Sequence, residues 1–92
     1  MKRDKNNLAQ YLKAIGDSNR LAILNSLKKK PLCVCEMFLL LNLPQNLASH
    51  HLKVLKDADL IISKREGVKI VYARNEKKIN EFQDILTNII KQ

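Results

Sequence analysis

Two cysteines, Cys33 and Cys35, stand one residue apart in the stretch PLCVCEM, and the chain has no others. Three kinds of chemistry suit such a pair. As thiolates they are soft ligands for As(III), Sb(III), Cd(II) or Pb(II). As a redox pair they report oxidants, and as plain thiols they pack as small, inert core residues. Spacing alone leaves all three open. On a regular helix, residues two apart point about 200° apart, so an ideal helix keeps both sulfurs from gripping one ion. An ion that did grip both has to unwind the helix start. The same geometry strains a disulfide between them. A helix N-terminus, with Lys28, Lys29 and Lys30 just ahead of it, favours thiolate over thiol.

The other groups able to do chemistry are two adjacent histidines. His50 and His51 point about 100° apart on a helix. The apolar pattern puts His51 inside as a hydrogen-bonded structural residue and leaves His50 outside. Neither has a catalytic partner nearby in sequence. There is no Gly-rich phosphate loop and no His/carboxylate constellation, so the chain reads as no enzyme and calls for no organic cofactor.

The elements that must position these residues follow from periodicity. Leu8, Ala9, Tyr11, Leu12 and Ile15 recur at helical spacing over residues 6–15, closed by Gly16. Asp17, Ser18 and Asn19 offer caps for a second helix over 18–29, burying Leu21, Ile23, Leu24 and Leu27 and ending in three lysines. Pro31 suits the first turn of a third helix over 31–41, whose nearly continuous apolar run predicts burial between neighbours. A fourth helix runs from Pro44 to about Asp57, with Leu47, His51 or Ala48, Leu52 and Leu55 inward. Two β-rich segments, LIISKRE and VKIVYAR, meet at Gly67 as a hairpin with a basic tip. Ile79, Phe82, Ile85, Leu86, Ile89 and Ile90 mark a fifth, strongly amphipathic helix.

The order is α-α-α-α-β-β-α, mainly α with a β-hairpin wing, which is a winged helix-turn-helix whose second motif helix enters a major groove. Ninety-two residues make a single domain, 1–92. Seventeen Lys+Arg against nine Asp+Glu give +8, a surplus that points to a polyanion. No apolar run approaches the roughly 20 residues of a membrane span, and the N-terminus lacks a signal-peptide core. The expected compartment is the cytoplasm, where thiols stay reduced.

Four stretches, in order, resemble the ArsR/SmtB family of metal-responsive repressors. They are GDSNRLAIL, LCVCEM, LPQNLASHHLKVLKDADLI with its S-x-H-L-x-x-L core at Ser49, His51, Leu52 and Leu55, and KREGVKIVYA. The resemblance implies a homodimer built from the first and last helices, an inverted-repeat operator in double-stranded DNA, and release by an inducer. The residues agree on dimerisation. A small monomer has too little surface to cover the stripe of Leu8, Tyr11 and Leu12 as well as that of Ile79, Phe82, Ile85, Leu86, Ile89 and Ile90, and two-fold symmetry matches a palindrome.

Gln45, Asn46, Ser49 and His50 are the candidates for base edges, Gln45 and Asn46 alternatively capping the helix. Leu47 reads as core or, failing that, as a contact to a thymine methyl. Lys53 and Lys56, with Lys64, Arg65 and Lys69 of the wing, are phosphate contacts. Family arsenic sites often carry a third thiol just downstream, where this chain has Met37, Phe38 and Leu39. Family zinc sites use His and carboxylates on the last helix, which here offers only Glu81 and Asp84. The resemblance thus leaves a two-thiolate site at Cys33 and Cys35 completed by a small thiol, water or hydroxide, which suits As(III) or Sb(III) best. The rival readings are a winged-helix regulator sensing thiol redox state or no ligand, and a protein-interaction module that binds no DNA.

Overall fold

The computed structural model describes residues 2–91, with side chains from residue 7 onward. The elements are α1 (Lys2–Ile15), α2 (Ser18–Leu27), β1 (Leu32–Cys33), α3 (Val34–Leu41), α4 (Gln45–Asp57), β2 (Ile61–Glu66), β3 (Lys69–Arg74) and α5 (Glu76–Ile90). Helices and hairpin follow the expected order, with one addition. A two-residue strand, β1, precedes α3 and makes the sheet three-stranded, antiparallel, in the order β1-β3-β2.

Local chemistry sets the helix ends. Asp17 is extended and its carboxylate accepts the backbone N–H groups of Asn19 (2.8 Å) and Arg20 (3.1 Å), starting α2. Asn42 closes α3 in the left-handed region at φ 50°, a conformation that Asn tolerates better than most residues. Asn75 caps α5 by accepting from the Lys78 N–H. Between β2 and β3 the chain turns at Gly67, φ +65°, where a residue without a Cβ is unstrained.

The core lies where α2, α3 and α4 meet the base of the hairpin. Ile23, Met37, Leu55, Leu60 and Ile61 are fully buried there, each burial contributing about 1.5–3 kcal/mol relative to exposure. The stacked rings of Tyr11 and Phe82, centroids 4.8 Å apart, join α1 to α5 on the other side.

Several expectations are corrected. The second helix stops at Leu27, so the three lysines lie beyond it, with Lys28 at its C-cap. Leu21 is 52% exposed, leaving Ile23 and Leu27 as the fully inward residues of α2. Pro31 is outside any helix, because Leu32 and Cys33 pair with β3 before α3 begins. The apolar run of α3 is not sandwiched: Met37 is buried but Leu39 is 84% and Leu40 58% exposed. An eight-residue helix with one packed side cannot turn every residue inward. Leu47 is exposed as well, since Ala48 takes the inward position one residue on.

Candidate nucleic-acid interface and thiol site

Helix α4 divides by face. Ala48, His51, Leu52 and Leu55 are buried, and Gln45, Asn46, Ser49, His50, Lys53 and Lys56 are exposed. Pro44 is the N-cap, and its carbonyl accepts from the N–H groups of Leu47 (3.1 Å) and Ala48 (3.0 Å). Neither the Gln45 nor the Asn46 side chain is used as a cap, so both amides are available to a ligand. Asn or Gln bridges adenine N6 and N7 well, and Leu47 beside them offers an apolar surface of the kind that meets a thymine methyl.

What holds α4 at its angle is a polar cluster at His51. Arg20 donates from Nε to the Ala14 carbonyl (2.6 Å) and lies with Nη1 3.1 Å from His51 Nδ1. A guanidinium only donates, so in this contact the imidazole nitrogen is the acceptor. Asp17 Oδ1 lies 4.0 Å from the same nitrogen. Hydrogen bonds from the Arg20 and Asn19 backbone, with the nearby His51 and Arg20 side chains, hold the Asp17 carboxyl below the usual carboxylate range against some desolvation. One buried histidine thereby ties the exposed recognition face to the end of α1 and the start of α2.

The basic residues differ in freedom. Lys53 is paired with Asp57 at 2.9 Å, and Lys56 donates to the Ser63 hydroxyl of β2 at 2.7 Å. Exposed pairs of this kind are worth about 0–1 kcal/mol, so a phosphate can displace them. Among the described residues, Lys64, Arg65 and Lys69 take part in no ion pair. All three stand exposed on the hairpin either side of Gly67.

The thiol site departs from its expected geometry. Cys33 lies outside α3 with extended backbone (φ −80°, ψ 162°), at the N-cap, while Cys35 is inside the first turn. The angular rule for two helical residues therefore does not apply. The side chains converge, and the structure joins Cys33 and Cys35 as a disulfide with their Cα atoms 5.4 Å apart, inside the usual range for such bonds. The expected obstacle to a disulfide, and the expected need to unwind α3 around an ion, both disappear. Reduced, the same backbone presents two thiols to one point at a helix N-terminus, a donor pair suited to a soft ion. Cys33 is buried and Cys35 exposed, so the inert-core reading describes only the first.

Cys33 is also stitched to the wing. It pairs with Val71 of β3 as Leu32 does with Tyr72, and its N–H donates to Glu36 Oε1 at 3.0 Å. Beside the sulfurs lies an open hollow of about 320 Å³ lined by Val34, Val68, Lys69 and Ile70. These neighbours escaped the sequence reading. Glu36, three residues after Cys33, is the one usable signal, since that spacing is the capping-box arrangement that places a helix start at Val34. Among the described residues, no three His, Cys, Asp or Glu side chains gather to hold a metal on their own. No described helix is long and apolar enough to cross a membrane.

The dimerisation candidates separate by burial. Leu8, Tyr11, Ile79 and Phe82 are buried within one chain, Ile85 and Leu86 are half-buried, and Leu12, Ile89 and Ile90 are exposed.

Comparison with known proteins agrees with this geometry. Residues 17–63 match the family described as bacterial regulatory protein, arsR family. The chain is 34% identical over 82 residues to the arsenical resistance operon repressor of Staphylococcus aureus, covering 89% of this chain and 76% of that one. In structure it is similar to HlyU from Vibrio cholerae, with a TM-score of 0.79 at 26% identity over all of both chains. It is also similar to a homodimeric winged helix-turn-helix DNA-binding domain from Mycobacterium bovis, with a TM-score of 0.77 at 25% identity, covering 91% of this chain and 79% of that one. The relatives are regulators of transcription rather than enzymes. With the winged helix-turn-helix assembled from its own residues, the chain belongs to the arsR family of bacterial regulatory proteins.

Proposed function

We propose that this regulator is a cytoplasmic, homodimeric repressor that occupies an inverted-repeat operator and leaves it when a thiophilic metalloid or metal binds Cys33 and Cys35. The observation that carries the reading is the convergence of the two cysteine side chains at the N-terminus of α3, one register pair away from the wing strand. The name of the Staphylococcus aureus relative supports arsenite as the first ion to try. Two thiolates with a third, exogenous ligand suit As(III) or Sb(III), with Cd(II) and Pb(II) as softer-site alternatives.

Gln45, Asn46, Ser49 and His50 meet base edges, while Lys53, Lys56, Lys64, Arg65 and Lys69 hold phosphates. Leu12, Ile89 and Ile90 are the exposed apolar residues left for the partner subunit, in keeping with the homodimeric Mycobacterium bovis domain. Since Cys33 shares a ladder with β3, an ion that repositions it displaces the wing. Ion and DNA then oppose each other by the same factor in both directions.

The test is binding of the reduced protein to the DNA upstream of its own gene, with and without arsenite, beside a C33S/C35S variant. Release of wild type but not of the variant is the expected result; tight binding indifferent to arsenite in both removes the ion from the mechanism. A second reading, thiol-redox sensing, is favoured by the disulfide itself. It predicts that oxidised and reduced protein differ in DNA affinity with no ion present.

A further inference from the structure

The hairpin tip carries an apolar residue that no packing within the chain explains. Val68 is 98% exposed, more than any other large apolar side chain among the described residues. It is one of two residues in the turn between Glu66 and Lys69, and the other, Gly67, has no side chain. Val68 is therefore the one side chain that the turn itself presents. The register decides what flanks it. Arg65 pairs with Ile70, while Lys64 pairs with Val71 and Glu66 with Lys69. Alternation along a strand then sets Arg65 on one face of the hairpin and Lys64 and Lys69 on the other. Glu66, opposite Lys69, is the one anion at the tip. Cations on both faces suit a tip with a phosphate strand on either side, rather than a hairpin laid flat on one strand. The minor groove, about 6 Å wide between its two strands, is such a place, and a turn with a single short side chain is slim enough to reach into it.

We propose that Val68 reads the floor of the minor groove and selects A·T over G·C there, adding a dependence on sequence that the phosphate contacts of the wing lack. The inference rests on reading the hairpin as the DNA-facing wing. In the minor groove both kinds of base pair show acceptors, and G·C adds the N2 amino donor. An isopropyl group accepts no hydrogen bond, so it strips water from that amino group without replacing it. Against A·T no donor is stranded. The narrow, more negative minor groove of A·T runs also draws Lys64, Arg65 and Lys69, so the charged flanks and the apolar tip favour the same base pairs.

The experiment uses the reduced full-length protein, with no ion added, and duplexes of the DNA upstream of its own gene in which each base pair in turn is made G·C and then I·C. Inosine lacks the N2 amino group, so I·C keeps the major-groove edge of G·C and shows the minor-groove edge of A·T. Fluorescence anisotropy gives the ratio of the two dissociation constants at every position. At a symmetric pair of positions, one beside each stretch read by α4, G·C is expected to bind at least about fivefold more weakly than I·C. Val68→Asn supplies an amide oxygen that accepts from the N2 amino group, and is expected to bring that ratio to within about twofold. Val68→Ala, which draws the apolar tip back from the floor, is expected to lower it as well. Both substitutions lie at an exposed position, and their urea midpoints are expected to match wild type. A ratio near one at every position in wild type, or a ratio unchanged in both variants, overturns the proposal and leaves a wing that holds phosphates only. No salt-dependent binding to any DNA overturns the wing reading and this inference with it.

Discussion

At the residue scale the most informative side chain is Asp17. Its carboxylate caps α2 and faces the Arg20–His51 contact, and its pKa is lowered chiefly by the hydrogen bond from the Arg20 backbone. A carboxyl whose folded pKa is depressed adds stability above the ordinary carboxylate range and loses it as pH falls through the depressed value. Asp17→Ala is therefore expected to lower the urea midpoint near neutral pH, with the gap to wild type shrinking on acidification below that range. Asp17→Asn keeps a capping oxygen and is expected to recover part of the neutral-pH loss with a flatter pH profile. Unfolding curves of the three proteins across that pH interval decide it; parallel curves would deny Asp17 its role. Leu55 and Leu39 make a second comparison. Leu55→Ala at a fully buried position is expected to cost about 2–5 kcal/mol. Leu39→Ala, at a position 84% exposed, is expected to stay within about 0.5 kcal/mol, measured by the same unfolding curves.

At the scale of elements the hairpin depends on one backbone conformation. Gly67 sits at φ +65° with open space where a Cβ would project, so a substitution there meets strain and no clash. Gly67→Ala is expected to cost about 1 kcal/mol, and Gly67→Val more, because branching at Cβ tolerates the left-handed region worst. Both variants are expected to weaken DNA binding more than they weaken folding, since the wing tip carries Lys64, Arg65 and Lys69 while the core lies at the hairpin's base. Equal loss of DNA affinity and of folding stability would contradict that division. The turn between α3 and α4 is set in the same way by Asn42 at φ 50°. Here glycine removes the residual strain, and Asn42→Gly is expected to leave stability unchanged or slightly raised.

The whole molecule acts through charge and surface. Each chain carries a formal +8, so a dimer carries twice that. If it engages about eight phosphates, log K falls against log salt with a slope of about −7. If Lys64 holds one phosphate in each subunit, as proposed, Lys64→Ala is expected to flatten the slope by about 2 while weakening binding to all sequences alike. Fluorescence anisotropy at several salt concentrations measures both, and an unchanged slope would take Lys64 off the interface. Ile89 and Ile90 stand on the outer face of α5, where Ile90 is 69% exposed. Changing both to Asp is expected to give a folded monomer by light scattering with DNA binding weakened at least about tenfold; a dimer of unchanged affinity would place the two-fold contact elsewhere.

The five helices, the hairpin, their winged helix-turn-helix order, the buried His51 and the basic face were legible in the one-dimensional pattern. Each rests on local periodicity or on charge, which neighbours in sequence report. One further local signal was legible and went unused: Glu36, three residues after Cys33. Other features were decided only by tertiary packing. The strand at Leu32 and Cys33 exists because Tyr72 and Val71, some forty residues on, supply its hydrogen-bonding partners. That pairing holds Cys33 extended, and an extended Cys33 beside a helical Cys35 brings together two sulfurs that a continuous helix would keep apart. The exposure of Leu21, Leu39 and Leu40 has the same origin, because an apolar residue reports its preference for burial but not whether a neighbour is there to cover it.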